Sequence, residues 1–456
     1  MKKREIDMIN GPLVSGIMRF ALPVIATGVL QILYNAADIV IVGQFSGPES
    51  TAVAAIGSTT ALIHLILSLF LGLSIGTNAA LAMSLGRKDD KGSSEVVHTA
   101  ISIAVISGLF MLAVGVLCSR QFLKWMLSPE ELLEQSTLYL RIYSLGMPAS
   151  MLFNFASAIL RAKGDTKRPL YYLMSSGIIN VLLNLFFVAV CGLDVAGVAL
   201  ATIISQYISA VLVIQRLVRL NDCCKLSIKR LRLYKDKAVL ILQYGIPAGA
   251  TSVMFNISNV FIQSSLNSFG NVDMNTGSAA SASIEGLTYT SMNAFNQTAI
   301  TFVGQNMGAK NYKRINKIYA LCTLICVLTG IVMGWGMYAS GELLLRLYSP
   351  DASGMAIEYG LTRMSCILTT YFICGILEVQ MGTLRGMGYA TVPAIMSITG
   401  ICAFRIVWIY TVFEKIHTMQ ALYMCYPASW IFTVLIMGIA YIVITKKILP
   451  KRGINI

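Results

Sequence analysis

Charge is scarce in this sequence. Lys, Arg, Asp and Glu make up 12% of its 456 residues, where a water-soluble domain carries about 25%. That excludes a soluble globular protein unless most of its surface is covered. Histidine is scarcer: three in all, His64, His98 and His417, cannot build a His-rich metal centre. The ten cysteines are scattered, with no CxxC pair at metal spacing, and the adjacent Cys223–Cys224 fall in a basic loop. All ten read as unpaired thiols. There is no P-loop, no GxSxG turn and no HExxH helix, so the motifs of phosphate, acyl and zinc chemistry are missing and the chain reads as a non-enzyme. No small-residue cleavage site follows the first apolar run, which is expected to act as its own uncleaved insertion signal.

What the sequence has is apolar length. Hydrophobic residues make up 56% and the mean hydropathy is +0.71. Runs long enough to cross about 30 Å of hydrocarbon recur along the chain. Backbone groups in lipid must be satisfied internally, which leaves helices or a closed barrel, and long runs without strict alternation select helices. Twelve spans are expected, at 15–43, 52–84, 95–118, 134–159, 169–190, 194–217, 239–267, 277–307, 318–340, 357–384, 391–413 and 420–445. The net charge of +14 is not a nucleic-acid footprint, because its basic clusters fall at alternate connections: Lys2–Arg4, Arg87–Lys91, Arg161–Arg168, Arg216–Lys237, Lys310–Lys317 and Lys446–Arg452. This positive-inside bias predicts both termini in the cytoplasm and an even number of spans, and the expected setting is the plasma (inner) membrane, crossed many times.

The chain repeats itself. Pro23 matches Pro247, Thr27 matches Thr251, Asn35 matches Asn259, Arg161 matches Arg385 and Pro169 matches Pro393, each 224 residues on. LGRKDDK at Leu85–Lys91 resembles MGAKNYK at Met307–Lys313, and Arg141 pairs with Arg363, both at 222. The expected organisation is a six-helix half over 1–217, a basic cytoplasmic linker over 218–238 and a second six-helix half over 239–456. Six is even, so both halves start on the same side and are related by a pseudo-two-fold axis along the membrane normal, with a substrate path between them.

Few polar groups sit inside the spans. Between Phe20 and Pro48 the one charged side chain is Asp38. A carboxylate at that depth costs roughly 3 kcal/mol on insertion scales, so it usually faces a partner or a cavity. Thr27, Gln31, Asn35 and Asp38 share one helical face. Asp38 is either a structural acid held by amides or a titratable, cation-binding group that drives transport. Asn180 and Asn184 lie four residues apart on the fifth span and Thr202 lies on the sixth. With Asp38 they offer hard oxygen ligands suited to Na⁺, whereas a proton needs Asp38 alone. The second half has Ile262 at the repeat position of Asp38, and instead carries Asn256 and Asn259 on its first helix and Glu285 in its second. Glu285 is read as a neutraliser of a cationic substrate, a second proton carrier or a hydrogen-bonded acid. Tyr289, Met292 and Phe295 beside it are candidates for an adaptable apolar wall. Glu378 is expected to pair with Arg385 seven residues on, and Arg405 to be structural.

ALP followed by NAADIVIVG in the first span, ILRAKGDTKRP, VGQNMGAKNYKR at Val303–Arg314 and TLRGMGYATVP, in this order, resemble the multidrug and toxic compound extrusion (MATE) family over essentially the whole chain. The resemblance implies an all-α fold of two six-helix bundles around a central cleft. It implies a cation-coupled antiporter, driven by Na⁺ or H⁺, that exports small hydrophobic and often cationic compounds by alternating access. On it Asp38 looks like the N-lobe coupling acid, with Asn180, Asn184 and Thr202 as its companions and the Na⁺ ligands of a Na⁺-coupled protein. Some members resemble this chain but place an acid at the position of Asn184. NorM-type members carry an acid in the seventh span, where Phe255 and Asn256 stand here, so a second-half Na⁺ site of that type is not expected. The substrate cavity candidates are Gln31, Asn35, Asn256, Asn259, Glu285, Tyr289, Met292 and Phe295. The expected partners are a small-molecule substrate and the lipid bilayer, with no nucleic acid, no cofactor beyond the coupling ion and a monomeric state. A lipid-linked precursor flippase of related fold is the alternative, and it would need cationic side chains facing the cavity.

Overall fold

The computed structural model describes residues 5–45, 52–126, 129–349 and 352–451. Among them every regular element is helical, and twelve spans follow in order. The first three are α1 (Leu13–Phe45), α2 (Ala52–Gly86) and α3 (Asp90–Trp125). The fourth, α4, is broken into Glu130–Ser144 and Met147–Ala162, which meet at 47°. Then come α5 (Lys167–Val190), α6 (Asp194–Val218) and α7 (Lys235–Asn267), α8 (Val272–Gly308) and α9 (Tyr312–Ala339), α10 (Gly354–Gly386), α11 (Thr391–Phe413) and α12 (Met419–Lys447). A short helix, Gly341–Tyr348, precedes α10. Ten of these are long and apolar enough to cross a membrane singly, and the bent α4 is an eleventh. The remaining one, α8, is too polar along its length to qualify by composition. Its Ser, Thr, Asn and Gln residues are nonetheless largely buried in protein, which is where a membrane helix can carry them.

The repeat is written in the backbone as well as the sequence. Lys88 and Lys310 both take a left-handed conformation, φ 56° and 58°, at the ends of α2 and α8. In each, the next residue closes the helix end with a backbone bond five residues back: Asp89 N–H to Ser84 O at 3.1 Å and Asn311 N–H to Asn306 O at 2.9 Å. Gly164 and Gly388, φ 88° and 93°, end α4 and α10 the same way. Asp165 N–H reaches Leu160 O and Tyr389 N–H reaches Leu384 O, both at 2.9 Å. These are Schellman closures, for which a left-handed residue is the requirement. The irregularity inside the fourth span recurs too, since α10 tightens to a 3₁₀ turn at Leu368–Thr370.

The chain packs into two compact units. One is built on Ala26–Gly249, the other on Ile6–Ile25 together with the chain from Ala250 on. The units therefore exchange the first stretches of α1 and α7, and the crossovers fall just after Pro23 and Pro247, both inside continuous helices. In the first unit the start of α7 lies against α2 through two GxxxG pairs. A Cβ on Gly72 would stand 2.2 Å from Gly249 N, one on Gly76 2.4 Å from Ile241 O, and one on Gly249 2.4 Å from Leu69 O. Backbone meets backbone along this seam, so nothing larger than glycine fits. In the second unit the start of α1 packs on α8: Phe20 sits edge-on to Phe302 at 5.8 Å, and Met8 O accepts from Asn306 Nδ2 at 3.0 Å.

Candidate functional site

Three helices of the first unit bring Asp38, Asn180, Asn184 and Thr202 together. Asp38 comes from the second half of α1, the asparagines from successive turns of α5, and Thr202 from the third turn of α6, all with side chains shielded from solvent. Asn184 Nδ2 donates to Asp38 Oδ1 at 2.5 Å and to Asn180 Oδ1 at 3.0 Å. Thr202 Oγ1 donates to Asp38 Oδ2 at 3.3 Å, and Asn180 Nδ2 approaches Thr202 Oγ1 at 3.4 Å. Each member thus contacts at least two others, with the carboxylate at the centre. Directly after Asn184, α5 widens into π-type turns at Leu185–Val190, an irregularity that often accompanies functional positions. Asn184 Oδ1 is buried and has no hydrogen-bond partner. A buried carbonyl oxygen left unpaired is costly. With the two carboxylate oxygens, the Asn180 carbonyl and the Thr202 hydroxyl it makes up a cluster of oxygen atoms. The donor set is all hard oxygen, which fits Na⁺.

At the same offset of 224 the second unit holds Ile262, Phe404, Trp408 and Tyr426 in place of the quartet. Ile262 is buried in the apolar core, and the Phe404 and Trp408 rings stack at 6.0 Å. The repeat has therefore kept the scaffold and made one half polar where the other is packed.

The cavity candidates separate. Gln31 and Asn35 are exposed on α1, while Asp38 on the same stripe turns inward. Asn256 is half-buried, and Asn259 is exposed and accepts from the Tyr426 hydroxyl at 3.4 Å. Glu285 lies in a two-pronged ion pair with Arg363, Nε to Oε1 at 2.8 Å and Nη2 to Oε2 at 2.9 Å, and Ser281 also donates to it. Arg363 Nη1 donates to Ser278, and its guanidinium lies 4.9 Å from the Tyr423 ring centre. Met292 and Phe295 are in the packed core of the second unit, with Met292 against Cys326, because they follow the buried face of α8. Tyr289 is exposed.

Glu378 does not form the ion pair with Arg385 expected from the sequence: among the described residues no salt bridge of 4 Å or less joins them. Seven residues along a helix is two turns, too far for the two side chains to close. Glu378 Oε2 instead accepts from Asn296 Nδ2 at 2.8 Å, across from α8. Arg405 is buried, donating to Ser429 at 3.2 Å with its guanidinium 4.0 Å from the Tyr426 ring centre.

These features are those of a multi-pass membrane protein: helical among the described residues, internally repeated, with the Asp38 cluster in one repeat and apolar or aromatic residues at the same positions of the other. The comparisons agree. Solved structures cover nearly the whole chain, among them a MOP superfamily transporter from Pyrococcus furiosus (TM-score 0.89, 19% identity, 97% of this chain and 99% of that one). Another is a MATE protein in complex with MaL6 (TM-score 0.88, 18% identity, 96% of this chain and 97% of that one). The MatE family model matches twice, over residues 23–186 and 247–411. The chain belongs to the MatE family of membrane transporters. It is similar to the probable multidrug resistance proteins YpnP (26% identical over 387 residues, 84% of this chain and 85% of the relative) and YoeA (25% over 440 residues, 94% and 93%) of Bacillus subtilis (strain 168).

Proposed function

We propose that this transporter is a cation-coupled antiporter that exports small hydrophobic, cationic organic compounds from the cytoplasm by alternating access. The observation that carries the reading is the buried Asp38 cluster. An ionised carboxylate among apolar helices is stabilised by an opposite charge or by protonation. Na⁺ or H⁺ arriving from outside neutralises Asp38. Asn180, Asn184 and Thr202 are the residues that would hold Na⁺ beside it, with the free Asn184 carbonyl oxygen as an added ligand. Loading changes the charge of the α1–α5–α6 contact, and so changes which conformation the first unit prefers. Substrate binds in the competing conformation, and the two ligands exclude each other. The membrane potential biases each inward-moving charge by about 2.3 kcal/mol per 100 mV. Because the second unit has packed residues at the quartet's positions, one coupling cation per cycle is expected through this site.

Multidrug substrates are supported by the names of the similar proteins YpnP and YoeA. The proposed setting is the plasma membrane, both termini cytoplasmic, with the protein working as a monomer. The flippase alternative needs free cations for a pyrophosphate. Arg363 is neutralised by Glu285 and Arg405 is enclosed by Tyr426 and Ser429, which favours the antiporter. The deciding experiment is dye movement in proteoliposomes under a Na⁺ gradient and, separately, a pH gradient. Wild type is expected to move ethidium under at least one gradient and Asp38→Asn under neither. Full gradient-driven export by Asp38→Asn would overturn the proposal.

A further inference from the structure

Away from the quartet, the loop after α6 holds a second cluster of ligating groups. One carboxylate oxygen of Asp222 and the sulfurs of Cys223 and Cys224 lie within 4.8 Å of one another. Asp90, at the start of α3, lines the same cavity as Asp222 and Cys223. Two thiols and two carboxylates from two separate segments of the first unit therefore converge. The cavity that Asp90, Asp222 and Cys223 border is about 630 Å³, and its lining also includes Lys91, Lys225 and Arg230. His98 also borders it but is committed elsewhere: its Nδ1 meets Ser94 O at 2.7 Å, and its Nε2 accepts from Ser227 N–H at 3.1 Å.

We propose that Cys223, Cys224, Asp222 and Asp90 form a binding site for a thiophilic divalent cation, Zn²⁺ or Cd²⁺, that ties the loop after α6 to the start of α3. Two sulfurs and two oxygens suit a tetrahedral borderline-soft ion and do not suit Na⁺, Mg²⁺ or Ca²⁺. The site is reachable, since Cys223 lines the cavity and the buried Cys224 sulfur lies beside it. Asp222 is presently held by Lys163, but Lys163 also meets Glu5 at 3.1 Å and keeps a carboxylate when Asp222 turns to the metal. Binding replaces the two thiol protons with the cation and releases them, so affinity rises with pH. The four anionic ligands exceed the charge of the ion by two, and Lys91, Lys163, Lys225 and Arg230 around them balance the excess. On the topology proposed above the site faces the cytoplasm, where thiols stay reduced.

The test uses the full-length protein in detergent, stripped of metal and titrated with Cd²⁺ while the ultraviolet thiolate-to-metal charge-transfer band and proton release are recorded. One Cd²⁺ per chain and two protons are expected. The band should be lost in Cys223→Ser, weakened about tenfold or more in Asp90→Asn and unchanged in Cys191→Ser. No band in wild type, or an undiminished band in Cys223→Ser, would overturn the assignment. A second measurement needs no variant: Zn²⁺ should slow maleimide labelling of Cys223 about tenfold while sparing Cys191. Equal rates with and without Zn²⁺ would also overturn it.

Discussion

Asn184 stands where a single change tests the electrostatics of the coupling site. Its Nδ2 is 2.5 Å from Asp38 Oδ1. Asn184→Asp puts a second carboxylate oxygen there, and the attractive contact becomes a repulsive one. Two unit charges at that separation repel by about 7 kcal/mol at an effective dielectric of ~20, and by about 4 kcal/mol if the side chains part to ~4 Å. Folded domains are stable by roughly 5–15 kcal/mol, so unrelieved repulsion would remove a large share of the stability. Na⁺ or a shared proton relieves it. A ligand that binds the folded state adds RT ln(1 + [L]/Kd), about 2.7 kcal/mol at a hundred times Kd. The assay is thermal unfolding of detergent-purified wild type and Asn184→Asp in Na⁺ and in choline at equal ionic strength, at acid and at alkaline pH. The stabilisation by Na⁺ is expected to be larger in the variant, and largest at alkaline pH, where no proton can take the place of Na⁺. Equal Na⁺ effects in the two proteins would refute the reading of Asp38 and Asn184 as parts of one cation site.

Other perturbations separate scaffold from site. Glu285→Gln leaves Arg363 buried without its counter-charge and should cost about 3–5 kcal/mol. Adding Arg363→Met should restore part of that in a thermal melt, with dye export per folded molecule retained. Gly249→Ala places a methyl 2.4 Å from Leu69 O and should abolish the monodisperse peak in size-exclusion chromatography. Gly336→Ala in α9, where nothing lies within 4 Å, should be neutral or stabilise by up to about 1 kcal/mol. Glu378→Gln keeps a side-chain acceptor for Asn296 and should change stability by less than about 1.5 kcal/mol, whereas Glu378→Leu leaves the Asn296 amide only the residue-378 backbone carbonyl, at 3.0 Å, and should lower the melting temperature clearly.

Much of the architecture was readable because membrane helices announce themselves by length. The repeat was readable because identical residues recur at one offset, and Lys88/Lys310 and Gly164/Gly388 carry that offset into the backbone. The proximity of Asp38 to Asn180, Asn184 and Thr202 could be anticipated because polar residues are so few in those spans that they have few partners to choose among. Where polar residues are plentiful the same reasoning fails. On α8 the positions 281, 285, 288, 292 and 296 share a face, but periodicity does not say whether that face looks into a cavity or into protein. It looks into protein, so Glu285 found Arg363, and Met292 went to the core with Phe295 beside it. Glu378 and Asn296 join helices 82 positions apart in sequence, a pairing that spacing cannot reveal. The seam of Gly72 and Gly76 on Gly245 and Gly249 does carry a signal, two GxxxG motifs, but glycine is common in membrane helices and the motif alone does not say which helices pair.

The exchange of helix starts between the two units also sets an order for biosynthesis. The stretch Leu13–Ile25 belongs with a unit whose other members begin at Ala250, so it must wait for α8 to emerge. At 5–20 residues per second that wait is roughly 15 to 60 s. The glycine seam of α2 likewise stays open until Gly249 has been made. A nascent chain that has reached only the linker is thus not a finished half, and its unpaired faces are open to quality-control factors in the bilayer. Two fragments cut within 218–238 should accumulate when made together and be degraded when made alone, although each carries six spans.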